Sequence, residues 1–245
     1  MTQTNNAATP QGSGADPRII CALDLPTTTE AAALVAQIGD AVDFYKIGLQ
    51  LFAVGGMELA RDLKAQGRQV FLDWKLHDIG ATVEKATANL ACAGCDLLTV
   101  HARPQVMAAA QRGAAGSSLK VLGVTVLTSL TADDLSADDH SLSPAELVEL
   151  RVRQALEAGI DGVVSSPQEA ARVRALAQAA GRPDFLIVTP GVRPVGASLD
   201  DQARAATPAA ALQAGATHLV IGRPITAAAD PRAAARAIAQ EIAPI

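Results

Sequence analysis

Short apolar and β-branched runs recur along the chain every few tens of residues, at 19–25, 44–49, 69–76, 97–101, 121–127, 162–165, 185–189 and 218–221. Runs of this length bounded by turn residues predict buried strands. Between them lie stretches rich in Ala, Leu, Glu and Arg with apolar residues at helical spacing. Several of these stretches close on a glycine: Gly67, Gly94, Gly159, Gly181 and Gly215. A glycine there suits a helix C-terminus, where the backbone turns through the left-handed region. The pattern is therefore strand then helix, eight times over.

Strands separated by helices pair in parallel, because a parallel neighbour is reached only through a crossover, and eight such units close into an α/β (β/α)8 barrel, the TIM-barrel architecture. A doubly wound sheet is the rival reading, but it carries a Gly-rich phosphate turn after its first strand. Here Leu25-Pro26-Thr27 follows instead. A length of 245 residues matches one such barrel. The expected organisation is a loose polar tail over 1–17 and a single catalytic barrel over 18–245. Two connections are longer than the rest, 128–143 and 191–206, and both are candidate covers for a site at the C-terminal ends of the strands.

The third strand carries charges that a barrel core should not contain. Side chains alternate along a strand, so Phe71, Asp73 and Lys75 share one face while Leu72, Trp74 and Leu76 share the other. The apolar set belongs against the helices. Asp73 and Lys75 then point into the barrel near the strand's C-terminal end, where barrel enzymes hold their chemistry. Asp24 at the end of the first strand and Lys46 in the second bring two more charges to the same height. A structural ion-pair network is the plain alternative, since mixed signs offset the cost of burying charge. Three adjacent strands offering alternating charges at one mouth favour a site.

Other candidates have equally plain rivals. Asp78, three residues after Lys75, reads locally as a helix N-cap, with Thr82 in the helix that follows. His77 is read as a hydrogen-bonded structural residue. After the seventh strand comes Thr189-Pro190-Gly191-Val192-Arg193-Pro194, and the eighth ends in Gly222-Arg223-Pro224. Each is a tight turn with a surface arginine when taken alone. Together they occupy the two loops with which barrels hold phosphate.

Composition narrows the function further. A formal charge of −5 offers no broad attraction for nucleic acid or an anionic membrane, and 2% aromatic residues leave no stacking platform for single strands. No apolar run approaches the roughly 20 residues of a membrane span, and the start of the chain lacks a signal-peptide pattern, so a cytoplasmic protein is expected. Cys21, Cys92 and Cys95 are too few for a disulfide framework. The pair Cys92 and Cys95 lacks a second ligand pair for zinc and is expected to be buried at a helix end.

At this point the residues resemble a known family. Asp73-x-Lys75-x-x-Asp78-Ile79 is similar to the signature of the orotidine 5′-phosphate decarboxylases. The likeness extends through Ala22-Leu23-Asp24, Tyr45-Lys46-Ile47-Gly48, Val126-Leu127-Thr128-Ser129, the Thr189–Pro194 segment, Asp201-Gln202 and Val220-Ile221-Gly222-Arg223-Pro224. The resemblance implies a homodimer that converts orotidine 5′-phosphate to uridine 5′-phosphate without a cofactor or metal. It implies Lys75 as cation and proton donor, Asp73 beside the substrate carboxylate, and Asp24 and Lys46 near the ribose. Asp78 and Thr82 would serve the neighbouring subunit's site. Thr128 and Ser129 would face the pyrimidine, and Arg193, Gln202, Gly222 and Arg223 the phosphate. Gly80, Ala81 and the Arg103-Pro104 pair depart from the common pattern without touching these groups. Metal-dependent sugar-phosphate decarboxylases and aldolase-like synthases on the same barrel are the enzymatic rivals. A non-catalytic phosphate-ligand sensor is the rival of another class.

Overall fold

The computed structural model describes residues 14–127, 132–137, 141–194 and 206–245. Its first half runs β1 Ile19–Ala22, α1 Thr28–Ile38, a 3-10 turn Gly39–Ala41, β2 Phe44–Gly48, α2 Leu49–Phe52, α3 Gly56–Ala65, β3 Gln69–Leu76, α4 Gly80–Cys92, β4 Leu97–His101 and α5 Pro104–Ala114. The second half runs β5 Lys120–Val124, α6 Ala132–Ala137, α7 Pro144–Glu157, β6 Gly162–Val164, α8 Ala170–Ala179, β7 Leu186–Thr189, α9 Pro208–Gln213, β8 His218–Ile221, α10 Arg223–Thr226 and α11 Pro231–Ile242. All eight strands pair in parallel and in chain order, and β8 returns to β1 to close the barrel. The strand-helix repeat legible in the sequence is this barrel.

Two of the expected strands stop three residues short of the ends of their apolar runs. The Leu23 N–H still donates to Lys46 O at 2.9 Å, but the chain then leaves the sheet toward Pro26, which has no N–H for a ladder. The run at 121–127 stops pairing as strand after Val124, where the Thr125 hydroxyl donates to Val164 O at 3.0 Å. Both departures place residues on the mouth rather than in the wall. The glycines that close the helices have positive φ throughout, from 70° at Gly181 to 103° at Gly215.

The core has two layers separated by the sheet. Inside, Ile20, Phe44, Phe71, Leu97, Leu122 and Val188 meet across the barrel axis. Outside, Leu72, Trp74 and Leu98 pack against the helices with Leu34, Ile38 and Leu63. The alternation read from β3 is therefore observed, with Phe71 inward and Leu72 and Trp74 outward. At the base of the barrel Arg18 joins the two ends of the chain, pairing with Asp16 at 2.7 Å and donating to Ile242 O at 3.0 Å.

The cysteines need one correction. Cys21 and Cys95 are buried, and burial first, then nearby acids, pushes their thiols up to about 12 and about 11. Cys92, expected to be buried as well, is exposed, because it sits on the outer face of the last turn of α4. No described helix is long and apolar enough to cross a membrane.

Candidate active site

The charged residues of the first three strands meet at the C-terminal mouth. Lys46, in the middle of β2, reaches Asp24 Oδ1 at 3.1 Å and Asp73 Oδ2 at 3.3 Å. Lys75 reaches Asp73 Oδ1 at 2.9 Å. The four groups thus form one alternating row, Asp24, Lys46, Asp73 and Lys75. Gly48 makes room for it: a Cβ there would lie 2.9 Å from Asp24 Oδ1 and 3.1 Å from Lys46 Nζ.

Burial and charge act in opposite directions on this row. Burial opposes an ammonium at Lys46, yet Asp73 and Asp24 outweigh it and raise its pKa. Burial likewise opposes a carboxylate at Asp73, but Lys46, Lys75 and hydrogen bonds from Lys75 and Thr99 hold its pKa below the usual 3.8. Both shifts favour the ionised forms. The row's contribution to stability therefore persists between those limits. It is lost only as pH falls through the lowered pKa of Asp73 or rises through that of Lys46, which lies above 10.5.

Lys75 has a backbone unlike its neighbours. Its φ is 49°, the one positive value outside glycine among the described residues. On β3 Leu76 comes four positions after Leu72, whereas their partners Leu98 and Val100 on β4 are only two positions apart. The surplus forms a bulge that re-aims the lysine, as bulges beside active sites do, at a cost of about 1–2 kcal/mol for the left-handed conformation. Thr99 on β4 stabilises it. Its hydroxyl accepts the Lys75 N–H at 3.0 Å and donates to Asp73 Oδ1 at 3.0 Å. Thr99 is fully buried. It was not among the candidates read from the sequence; a polar residue inside an apolar strand was the available signal.

The row lines a cavity of about 440 Å³ that also takes in Arg193, Gly222 and Arg223. That volume suits a small organic ligand. Arg193 is buried and donates to Val192 O at 3.0 Å, and Arg223 opens α10 directly after Gly222. Seven of the expected residues thus converge: Asp24, Lys46, Asp73, Lys75, Arg193, Gly222 and Arg223. Asp78 and Thr82 do not line it. Asp78 is exposed just beyond β3, its carboxylate accepting from the Ile79 N–H at 2.6 Å, and Thr82 lies in the first turn of α4. Ile79, not Asp78, is the N-cap of α4. Thr128, Ser129 and Gln202 lie outside the described residues. No three His, Cys, Asp or Glu side chains among the described residues gather as a metal site would require.

Fold and mouth together define a (β/α)8-barrel enzyme class with two ammonium groups interleaved between carboxylates and arginines at the phosphate loops. Within that class, the family model for orotidine 5′-phosphate decarboxylase / HUMPS matches residues 17–238. The chain belongs to this family. The orotidine 5′-phosphate decarboxylase of Caulobacter vibrioides is 64% identical over 231 residues, covering 94% of this chain and 99% of that one. The enzyme of the same name from Cereibacter sphaeroides is 54% identical over 232 residues, 93% of this chain and 98% of its own. A crystal structure of orotidine 5′-phosphate decarboxylase from Lactobacillus acidophilus superposes with a TM-score of 0.80 at 37% identity, over 93% of this chain and 99% of that one.

Proposed function

We propose that the chain decarboxylates orotidine 5′-phosphate to uridine 5′-phosphate and CO2, the step that yields UMP in pyrimidine biosynthesis, and does so with side chains and no cofactor. The observation that carries this reading is the alternating row ending on Lys75. Departure of CO2 leaves an electron pair in the ring plane at C6, out of conjugation with the ring carbonyls. A fixed ammonium beside that carbon stabilises the developing charge, far more effectively than a mobile one in water. Lys75 then delivers the proton to C6. Asp73, 2.9 Å from Lys75, keeps it charged and aimed, and lies where it would crowd the departing carboxylate. Asp24 and Lys46 hold the ribose, Thr128 and Ser129 the pyrimidine, and Arg193, Gln202, Gly222 and Arg223 the phosphate.

The metal-dependent rivals of the family fit this mouth less well. Two of the four groups in its charged row are ammoniums, which repel a divalent cation and occupy the oxygens that would bind it.

The same reading makes the working unit a homodimer. Ile79 is 71% exposed, a large apolar side chain standing beside Asp78 on the rim. Burying it against a second copy would carry Asp78 and Thr82 toward that copy's mouth. A cytoplasmic setting accords with the buried free thiols and the substrate class.

Phosphate contacts lie far from C6 and supply binding energy that assembles the site. Arg223→Ala is expected to lower kcat/KM for orotidine 5′-phosphate by about 10²-fold, the worth of a charged hydrogen bond, while leaving turnover of the dephosphorylated nucleoside unchanged. Steady-state kinetics on both substrates checks this; equal losses would remove Arg223 from the phosphate.

Thr99 offers a subtler test. Thr99→Val leaves the Lys75 N–H unpaired and takes one of two donors from Asp73 Oδ1, which keeps Lys75, and is expected to lower kcat by about 10-fold to 10²-fold with KM little changed. Thr99→Ser, which keeps the hydroxyl, should restore most of the rate. A fall in KM-related binding alone, with no rescue by serine, would mark the residue as merely structural.

A further inference from the structure

Behind the catalytic mouth, on the side of β4, β5 and α7, lies a second group of basic side chains that the proposed reaction does not use. His77 follows β3, His101 ends β4, Arg103 precedes α5 and Arg151 sits in the middle of α7. The two imidazole rings are 5.2 Å apart. Arg151 is only 8% exposed, and it donates to a neutral group, Gln154 Oε1, at 3.0 Å. Neither Arg103 nor Arg151 has an ion pair with a described residue. Capping of α7 by Ser143 and Glu146, each bonding the other's backbone N–H, fixes the helix that carries Arg151.

The start of α5 points to what the group would hold. Arg103 is its N-cap but makes no side-chain cap bond, and Pro104 at the first position has no N–H. Gln105, whose N–H has no carbonyl four residues back within the helix, lines a cleft together with His77, Arg103, Pro104 and Arg151. A cavity of about 200 Å³ continues inward from Arg103 and Arg151 to His101 and Thr125. It shares Val124, Val126 and Leu127 with the mouth. Burial first, and then His77, Arg103, Lys75 and Arg151, lowers the pKa of His101, as expected where cations crowd. Buried guanidinium groups are retained where an anion or acid neutralises them.

We infer that His77, His101, Arg103, Arg151 and the N-terminus of α5 form a second anion site, separate from the Arg223 loop, that takes the phosphate group of a small phosphorylated metabolite. Two guanidinium forks and a helix N-terminus present more donors than a single carboxylate can accept, whereas a phosphate dianion accepts them from several sides. None of these five groups takes part in the decarboxylation.

The test is a titration of the full chain with inorganic phosphate, followed by NMR at the Gln105 amide and the Arg151 Nε–Hε group. Both signals should move in the wild-type protein, and should move with the same midpoint in Arg223→Ala, whose mouth has lost its phosphate contact. The exposed Arg103→Gln should weaken the response by about tenfold. Orotidine 5′-phosphate turnover should be unchanged in Arg103→Gln. Signals that stay fixed up to saturating phosphate would overturn the inference, as would a response abolished by Arg223→Ala. So would an Arg103→Gln chain that dissociates into monomers while phosphate leaves both signals unmoved, since a carboxylate of a second copy would then be the occupant.

Discussion

Lys75→Ala is expected to reduce kcat/KM for orotidine 5′-phosphate by about 10⁴-fold to 10⁷-fold while leaving the barrel folded. The range combines two effects assigned to one ammonium, proton delivery at about 10²-fold to 10⁴-fold and electrostatic stabilisation at about 10²-fold to 10³-fold. Folding should survive, because Lys75 is partly exposed and alanine removes only the end of the charged row. Asp73 would still be held by Lys46 at 3.3 Å and by Thr99 at 3.0 Å. The loss should fall on kcat rather than KM, since phosphate and ribose contacts remain. Single-turnover measurement of CO2 release at saturating substrate checks this. A variant within tenfold of wild type would move the proton donor elsewhere.

The second large effect concerns subunits. Lys75→Ala chains and Asp78→Ala chains are each expected to be nearly inactive when pure. If Asp78 completes the partner's mouth, mixing them creates dimers in which one site has lost both residues and the other has lost neither. Random reassortment of equal amounts should restore about a quarter of wild-type activity, since half of the dimers are mixed and each carries one intact site of two. The exposed position of Asp78 and its absence from its own chain's cavity motivate the experiment. Activity that stays at the level of the pure variants after subunit exchange would confine Asp78 to its own subunit.

The barrel and the charged row of the candidate site were legible because both follow from period and sign. Eight apolar runs separated by helical stretches admit few arrangements, and alternation along β3 assigned Asp73 and Lys75 to the inside without reference to any other strand. What escaped the sequence depends on neighbours. The bulge between Leu72 and Leu76 is set by pairing with β4, so the positive φ of Lys75 could not be inferred from β3. Thr99 acquires its role only when β4 is placed beside that bulge. Asp24 was assigned to the end of the first strand, but the turn toward Pro26 carries it two residues beyond Ala22, onto the rim. The exposure of Cys92 was missed for a related reason, since helical spacing gives the face of a residue only once the helix's rotation against the barrel is known.

The most direct measurement is conversion of orotidine 5′-phosphate by the purified wild-type chain after exhaustive dialysis against a chelator, followed by absorbance and by CO2 released. The account predicts stoichiometric uridine 5′-phosphate and CO2 at an undiminished rate. Absence of turnover, or turnover that disappears with the chelator and returns with a divalent cation, would contradict it.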